Sequence, residues 1–321
     1  MSGAGGPLRA EPPRLALYTH PACAGHDPVP GHPEQPARLA AALAAFDTDR
    51  LRDCPRFDAP LATREQLLRV HAGTHVDRVH AAVDRGFVQL DPDTAVADGS
   101  LDAALRAAGS VVNAVDGVLA DRHVRAFCAV RPPGHHATRT LAMGFCQFNN
   151  VAVGAAHALA AHGLDRVAVL DFDVHHGNGT QAIFWDDARI LFASSHEWPL
   201  YPGGGRAAET GPHDTIVNVP LPSGTTGDAF HEAWERVILP RVDAFRPELI
   251  LISAGFDAHR DDPLANLRLD EHDFGRVTAA IVAVADRHAR GRIVSALEGG
   301  YDLEAITRST RAHALALMDE S

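Results

Sequence analysis

Val169-Leu170-Asp171-Phe172-Asp173-Val174-His175-His176-Gly177-Asn178-Gly179 is the stretch on which the reading of this chain turns. It begins in an apolar run, Val167 to Leu170, and then sets Asp171, Asp173 and His175 at alternate positions. Alternate side chains of extended backbone share one face, so two carboxylates and an imidazole should project together from the end of a strand. Gly177 and Gly179 let the backbone turn sharply afterwards. The pattern is that of metal ligands held on a rigid scaffold.

Working outward, apolar strands and helices alternate. Strands are expected over 14–18, 124–130, 166–171, 189–194, 215–219, 248–253 and 292–297. Helices are expected over 37–46, 74–83, 100–120, 150–162, 179–185, 228–245, 271–288 and 303–317. Thr63-Arg64-Glu65-Gln66 reads as a capping box that opens another helix. Residues 20–36 hold five prolines and several histidines and read as a loop. Strands alternating with helices argue for an α/β fold, a mostly parallel sheet with helices on both faces. No repeat or linker divides the chain. A single domain over 14–321 is expected, preceded by a loose Gly- and Pro-rich tail over 1–13.

Composition narrows the function. The 321 residues, 46% of them hydrophobic, suffice for a large core. A net charge of -12 without a basic cluster argues against direct nucleic-acid binding. There is no lysine, so every one of the 29 basic side chains is arginine. Cys23, Cys54, Cys128 and Cys146 form no C-x-x-C pair, which points to reduced thiols and a cytoplasmic protein. No apolar run is long enough to span a membrane.

In open parallel sheets, ligands bind beyond the carboxyl ends of the strands. Four such loops are unusual: 131–137 (RPPGHHA), the opening stretch, 253–258 (SAGFDA) and 298–301 (EGGY). Asp173, His175 and Asp257 can supply three metal ligands and leave a position open for water and substrate. Zinc fits that set, and iron, cobalt or manganese would too. His135 and His136 are candidates for general acid–base work, with Asp171 and Asn178 as available partners. The Tyr301 hydroxyl is placed to donate to a developing oxyanion. Taken singly, each motif is more often an ordinary turn, surface pair or core residue. His157, His162 and His288 lie in helical stretches and read as solvated. The co-occurrence in successive strand-end loops carries the argument.

Together with GFCQFNN at 144–150 and HPEQPARL at 32–39, these motifs resemble the zinc-dependent histone deacetylase family, in its class II-like and bacterial branch. The resemblance runs from about His20 to the last helix. It implies a single α/β domain of the arginase–deacetylase type. It implies one catalytic zinc on Asp173, His175 and Asp257, with His136 taking the proton of the attacking water. His135 matches its neighbour, held by Asp171, and Asn178 stands where class II-like members carry asparagine. Tyr301 matches the tyrosine that polarises the scissile carbonyl. Phe145 and Tyr201 match the tunnel walls, Gly144 and Gly300 the glycines lining it, and Arg38 an arginine beneath it. A structural potassium is implied at Asp171 and Ser194 with the backbone carbonyls of Asp173, His175 and Ser195. The implied substrate is an acylated lysine in a protein or peptide. The alternative is an acylated polyamine or small amine, whose selective hydrolases can carry a glutamate seven positions after the last ligand. Leu264 stands there and favours lysine. A binuclear manganese ureohydrolase and a catalytically silent acyl-lysine reader are the more distant readings. Oligomeric state is left open.

Overall fold

The computed structural model describes residues 11–319. Most of the expected tail therefore lies outside the described residues. Its end is tied down, because Val124 N–H donates to the Pro13 carbonyl at 3.0 Å.

Eight strands form one sheet: β1 (Leu15–Thr19), β2 (Arg56–Asp58), β5 (Arg125–Cys128), β6 (Val167–Asp171), β7 (Ile190–Glu197), β8 (Ile216–Leu221), β9 (Leu249–Ala254) and β10 (Ile293–Leu297). Their order is β2-β1-β5-β10-β9-β6-β7-β8, and every pairing is parallel. The central strands are apolar runs such as Val167-Ala168-Val169-Leu170 and Leu249-Ile250-Leu251-Ile252, each residue fully buried. Unbroken apolar runs suit a sheet covered on both faces.

The covers are helical. On one face lie α4 (Ser100–Leu119) and α5 (Asn150–His162). On the other lie α1 (Ala37–Ala44), α9 (Glu271–His288) and α10 (Leu303–Met318). Smaller helices fill the edges: α2 (Arg64–Leu68), α3 (Gly73–Val83), α6 (Asn178–Phe184), α7 (Gly227–Ala233) and α8 (Leu239–Phe245). The capping box at Thr63 is formed, with Thr63 Oγ1 accepting from Gln66 N–H and Gln66 Oε1 from Thr63 N–H. Asn149 and Asp302 cap α5 and α10 more simply, each side chain accepting from the N–H three residues on. Among the described residues no helix is long and apolar enough to cross a membrane, and the four cysteines are free and buried.

The structure departs from the sequence reading in three places. The expected helix over 228–245 is broken by a π turn at Trp234–Ile238. Arg56–Asp58 forms an edge strand, although only Phe57 in it is apolar. A hairpin, β3 (Val88–Asp91) with β4 (Thr94–Val96), stands where no strand is expected. That hairpin proves to border the site.

Candidate active site

The opening motif is not one long strand. β6 stops at Asp171, and Asp173 and His175 lie in the loop that follows. Side-chain bonds to the backbone keep the ligands convergent there. Asp171 Oδ1 accepts from Asp173 N–H at 3.1 Å, and Asp173 Oδ1 from His175 N–H at 2.9 Å. Each aspartate orients the residue two positions on, as short acidic side chains do in turns.

Asp257, beyond β9, meets the other two. His175 Nδ1 lies 3.1 Å from Asp173 Oδ1 and 3.1 Å from Asp257 Oδ2. One donor atom of each residue falls within 4.8 Å of the others. Both carboxylates are fully buried. A single Nδ1 proton cannot satisfy two buried carboxylates, whereas a cation can, and the one-nitrogen, two-oxygen set suits a divalent metal. The charge imbalance shows in the protonation equilibria. Burial and the Asp173 charge push the Asp257 carboxyl up. Burial opposes the His175 cation, but the two carboxylates prevail and push its pKa up to about 10. Gly299 makes the approach possible: its N–H donates to Asp173 Oδ2 at 2.8 Å, and a Cβ there would collide with both carboxylates.

The loop after β5 brings in two adjacent imidazoles whose rings lie 4.0 Å apart. His135 Nδ1 is 2.9 Å from Asp171 Oδ2, and His136 Nδ1 is 2.8 Å from Asn178 Oδ1. The carbonyl oxygen of Asn178 can only accept, so His136 carries its proton on Nδ1 and keeps the Nε2 lone pair free. The two rings are tuned apart. Burial and the neighbouring imidazoles hold His136 well below the usual histidine range. His135 is equally buried, yet Asp173 and Asp171 hold it well above that range. A neutral base thus stands beside a cationic neighbour.

Tyr301 lies beyond β10 and is 9% exposed. Its N–H donates to Asp262 Oδ2 at 2.7 Å. The Arg38 guanidinium sits 4.9 Å from its ring centre. Arg38 is fully buried and donates to Glu34 Oε1 and to the carbonyls of Gly300 and Glu298. His135, His136, His175, Tyr301, Gly144, Phe145, Tyr201 and Leu264 all line one cavity of about 220 Å³. Gly300 and Arg38, also expected at the site, do not line this cavity; Arg38 packs on the Tyr301 ring and donates to the Gly300 carbonyl. A larger cavity of about 660 Å³ lies between α9 and α10, apart from these groups. Asp171 and Ser194 are register partners across β6 and β7, and Ser195 follows on β7.

Sequence reasoning passes over three carboxylates, Glu298 and Asp262 buried and Asp93 half-buried. Glu298 accepts from the N–H groups of Gly134 (2.6 Å) and His135 (3.1 Å), and so holds the histidine loop from below. It belongs to the EGGY motif, which was the available signal. Asp262 carries the Tyr301 backbone, with no local pattern to mark it. Asp93, at the hairpin turn, accepts from Gly144 N–H at 2.9 Å and from Thr94 Oγ1 at 2.7 Å. One of the helical histidines also differs from expectation. His157 is only 6% exposed and donates from Nε2 to Asp116, whereas His162, which bonds the same carboxylate, stays exposed as expected.

The histone deacetylase domain model matches residues 32–317. The chain belongs to this family. A histone deacetylase-like amidohydrolase of Pseudomonas aeruginosa is 43% identical, the match covering 88% of this chain and 74% of that protein. A protein named as a probable deacetylase in Archaeoglobus fulgidus is 38% identical over 91% of this chain and 83% of its own length. The crystal structure of the HDA15 HD domain is similar over 95% of this chain and 89% of that one, with a TM-score of 0.89 at 35% identity. The arginase–deacetylase architecture expected from the motifs is therefore the fold of this family member. As such it is a hydrolase acting on amide C–N bonds.

Proposed function

We propose that the chain is a zinc-dependent amidohydrolase that removes acetyl or other short acyl groups from lysine side chains. One observation carries this reading: a neutral imidazole, His136, and a buried tyrosine, Tyr301, line the same narrow cavity as His175 of the Asp173–His175–Asp257 cluster. A divalent ion held by those three side chains would supply hydroxide near neutral pH and polarise the acyl carbonyl.

The chain's own residues do the rest. Phe145 and Tyr201 guide the acyl-lysine stem between their rings. The Tyr301 hydroxyl donates to the acyl oxygen as it gains negative charge. His136 Nε2 takes the proton of the attacking water while Asn178 fixes the tautomer, and then returns the proton to the leaving amine. Asp171 keeps the cationic His135 in place beside it. Arg38 lies beneath the site, on the side where the cleaved acetate would depart. Asp171 and Ser194, with the backbone carbonyls of Asp173, His175 and Ser195, would hold a potassium ion that steadies the loop.

A second reading rests on Asp93, a carboxylate on the cavity wall. It would attract a free cationic amine, such as an acetylpolyamine, whereas Leu264 offers no countercharge. The deciding experiment compares acetyl-lysine peptides, acetylpolyamines and longer acyl-lysines on one zinc-loaded preparation. A higher kcat/KM for acetyl-lysine peptides supports the first reading. Cleavage of acetylpolyamines alone would replace it with the second.

A further inference from the structure

A second cavity adjoins the catalytic one. It has a volume of about 310 Å³ and shares the Asp93 and Phe145 walls with the catalytic cavity. Phe145 is the partition: its ring meets His32 edge-on at 4.6 Å and Tyr301 edge-on at 6.0 Å. The remaining walls come from the 20–36 loop and the β3–β4 hairpin. Pro28, Val29, Phe87, Pro92 and Ala95 supply apolar surface. Phe87 is 59% exposed, the highest value among the large exposed apolar side chains, and Val29 is 36% exposed. Bulky apolar groups left open at the mouth of a cavity are what a binding site for an apolar group requires.

The polar groups of this second cavity are already engaged. His26 Nδ1 bonds Ser100 Oγ at 2.8 Å. Both Glu34 oxygens are held by Arg131, at 2.5 and 2.6 Å. Gln89 Nε2 donates to the Pro92 carbonyl at 2.7 Å. His32 Nδ1 lies 3.0 Å from Glu34 N and 3.3 Å from the Glu34 carbonyl oxygen, so this ring too is held within its own loop. The Asp93 carboxylate on the shared wall is taken up in part by Gly144 N–H and Thr94 Oγ1, so the rest of the cavity's surface is mainly apolar. We infer that this cavity is a specificity subsite for a large apolar side chain on the residue next to the acylated lysine. Consecutive Cα atoms lie about 3.8 Å apart, so a stem seated beside Phe145 brings the flanking residue within reach of the far side of the same ring, where a turn in the bound backbone would direct its side chain inward.

This inference rests on the acyl-lysine reading, and the test separates the two. Acetyl-lysine peptides carrying Phe, Leu or Ser at each flanking position are assayed with the zinc-loaded protein and with two variants. Phe87→Ser removes the open wall, and Ala95→Phe fills the cavity. The intact protein should favour Phe or Leu over Ser at one flanking position by about tenfold in kcat/KM, a discrimination typical of an apolar pocket. Most of the difference should lie in KM, and both variants should bring the ratio close to one. Because each ratio is taken within one preparation, loss of folded protein does not imitate the effect. Cleavage of acetyl-lysine with no flanking preference, or a preference that both variants leave intact, overturns the subsite alone. No cleavage of any acetyl-lysine peptide overturns the lysine reading, and the subsite falls with it.

Discussion

Replacing Tyr301 by Phe deletes one oxygen and little else. The ring keeps its two neighbours, the Arg38 guanidinium 4.9 Å from its centre and the Phe145 ring at 6.0 Å. The backbone bond to Asp262 is untouched by the change. What disappears is a donor. Burial, reinforced by Asp257 and Asp173, holds the phenol well above its usual pKa despite the opposing charge of Arg38. The hydroxyl therefore stays protonated and able to donate throughout the working pH range. One oxyanion-hole donor contributes about 2.7–4 kcal/mol, so kcat should fall by about 10²–10³. The interaction strengthens mainly as charge develops, so KM should change little. The assay is steady-state hydrolysis of an acetyl-lysine peptide, with the metal content of both proteins measured alongside. A Phe variant that binds metal and turns over within about tenfold of the parent would refute the role.

Removing the Asp257 carboxylate with Asp257→Ala leaves Asp173 and His175 as the cluster. Metal content after dialysis should drop from near one ion per chain to near zero, and a chelator should silence the parent until zinc is returned. Glu34→Gln strands Arg131 and Arg38 as buried, unpaired cations and should cost about 3–5 kcal/mol of unfolding free energy in urea. Burial alone would raise the Glu34 pKa, but Arg131 and Arg38 outweigh it and bring it down to about 2. Its contribution is therefore complete above an unfolded value near 4.5 and is lost as the pH falls from there through about 2. A separate loss should begin at higher pH. Burial depresses His26 to about 4, and His71 and His313 to about 3, from 6.5. The unfolded chain binds the extra protons, so this stability is complete above pH 6.5 and declines below it. Urea midpoints should fall between about pH 6.5 and 5, where Glu34 still contributes, and a flat profile there would count against neutral buried histidines.

The sheet was legible because its strands are buried on both faces. Runs such as Leu249-Ile250-Leu251-Ile252 have no polar alternation to confuse them with loops. The β3–β4 hairpin was not legible, and its residues show why. Val88-Gln89-Leu90-Asp91 alternates weakly, and an irregular register between Gln89 and Asp91 spoils the pairing. What fixes it is tertiary. Thr94 is buried, and its Oγ1 accepts from Phe145 N–H, so the hairpin leans on a loop distant in sequence. The break at Trp234–Ile238 is of the same kind. Helical periodicity runs straight through it, while Trp234 Nε1 reaches across to Ser195 Oγ at 3.0 Å.

At the site, the legible part was what repeats locally, and the illegible part was the field around it. Asp171, Asp173 and His175 announce themselves by spacing. His135 and His136 announce themselves only as a pair, because nothing in two identical neighbours says which is neutral. That distinction comes from atoms far along the chain. Asp171 reaches His135 from 36 positions away, and Asn178 reaches His136 from 42. Glu298 grips the backbone of the same loop from 163 positions beyond His135. The asymmetry has a chemical use. A base works best when it is unprotonated at the working pH, and two like rings 4.0 Å apart cannot both be charged without strong repulsion. Placing a carboxylate under one ring and an amide beside the other assigns the proton in advance. In the proposed mechanism the residue types in the motif supply the chemistry, and the partners folded in from elsewhere decide which histidine performs it.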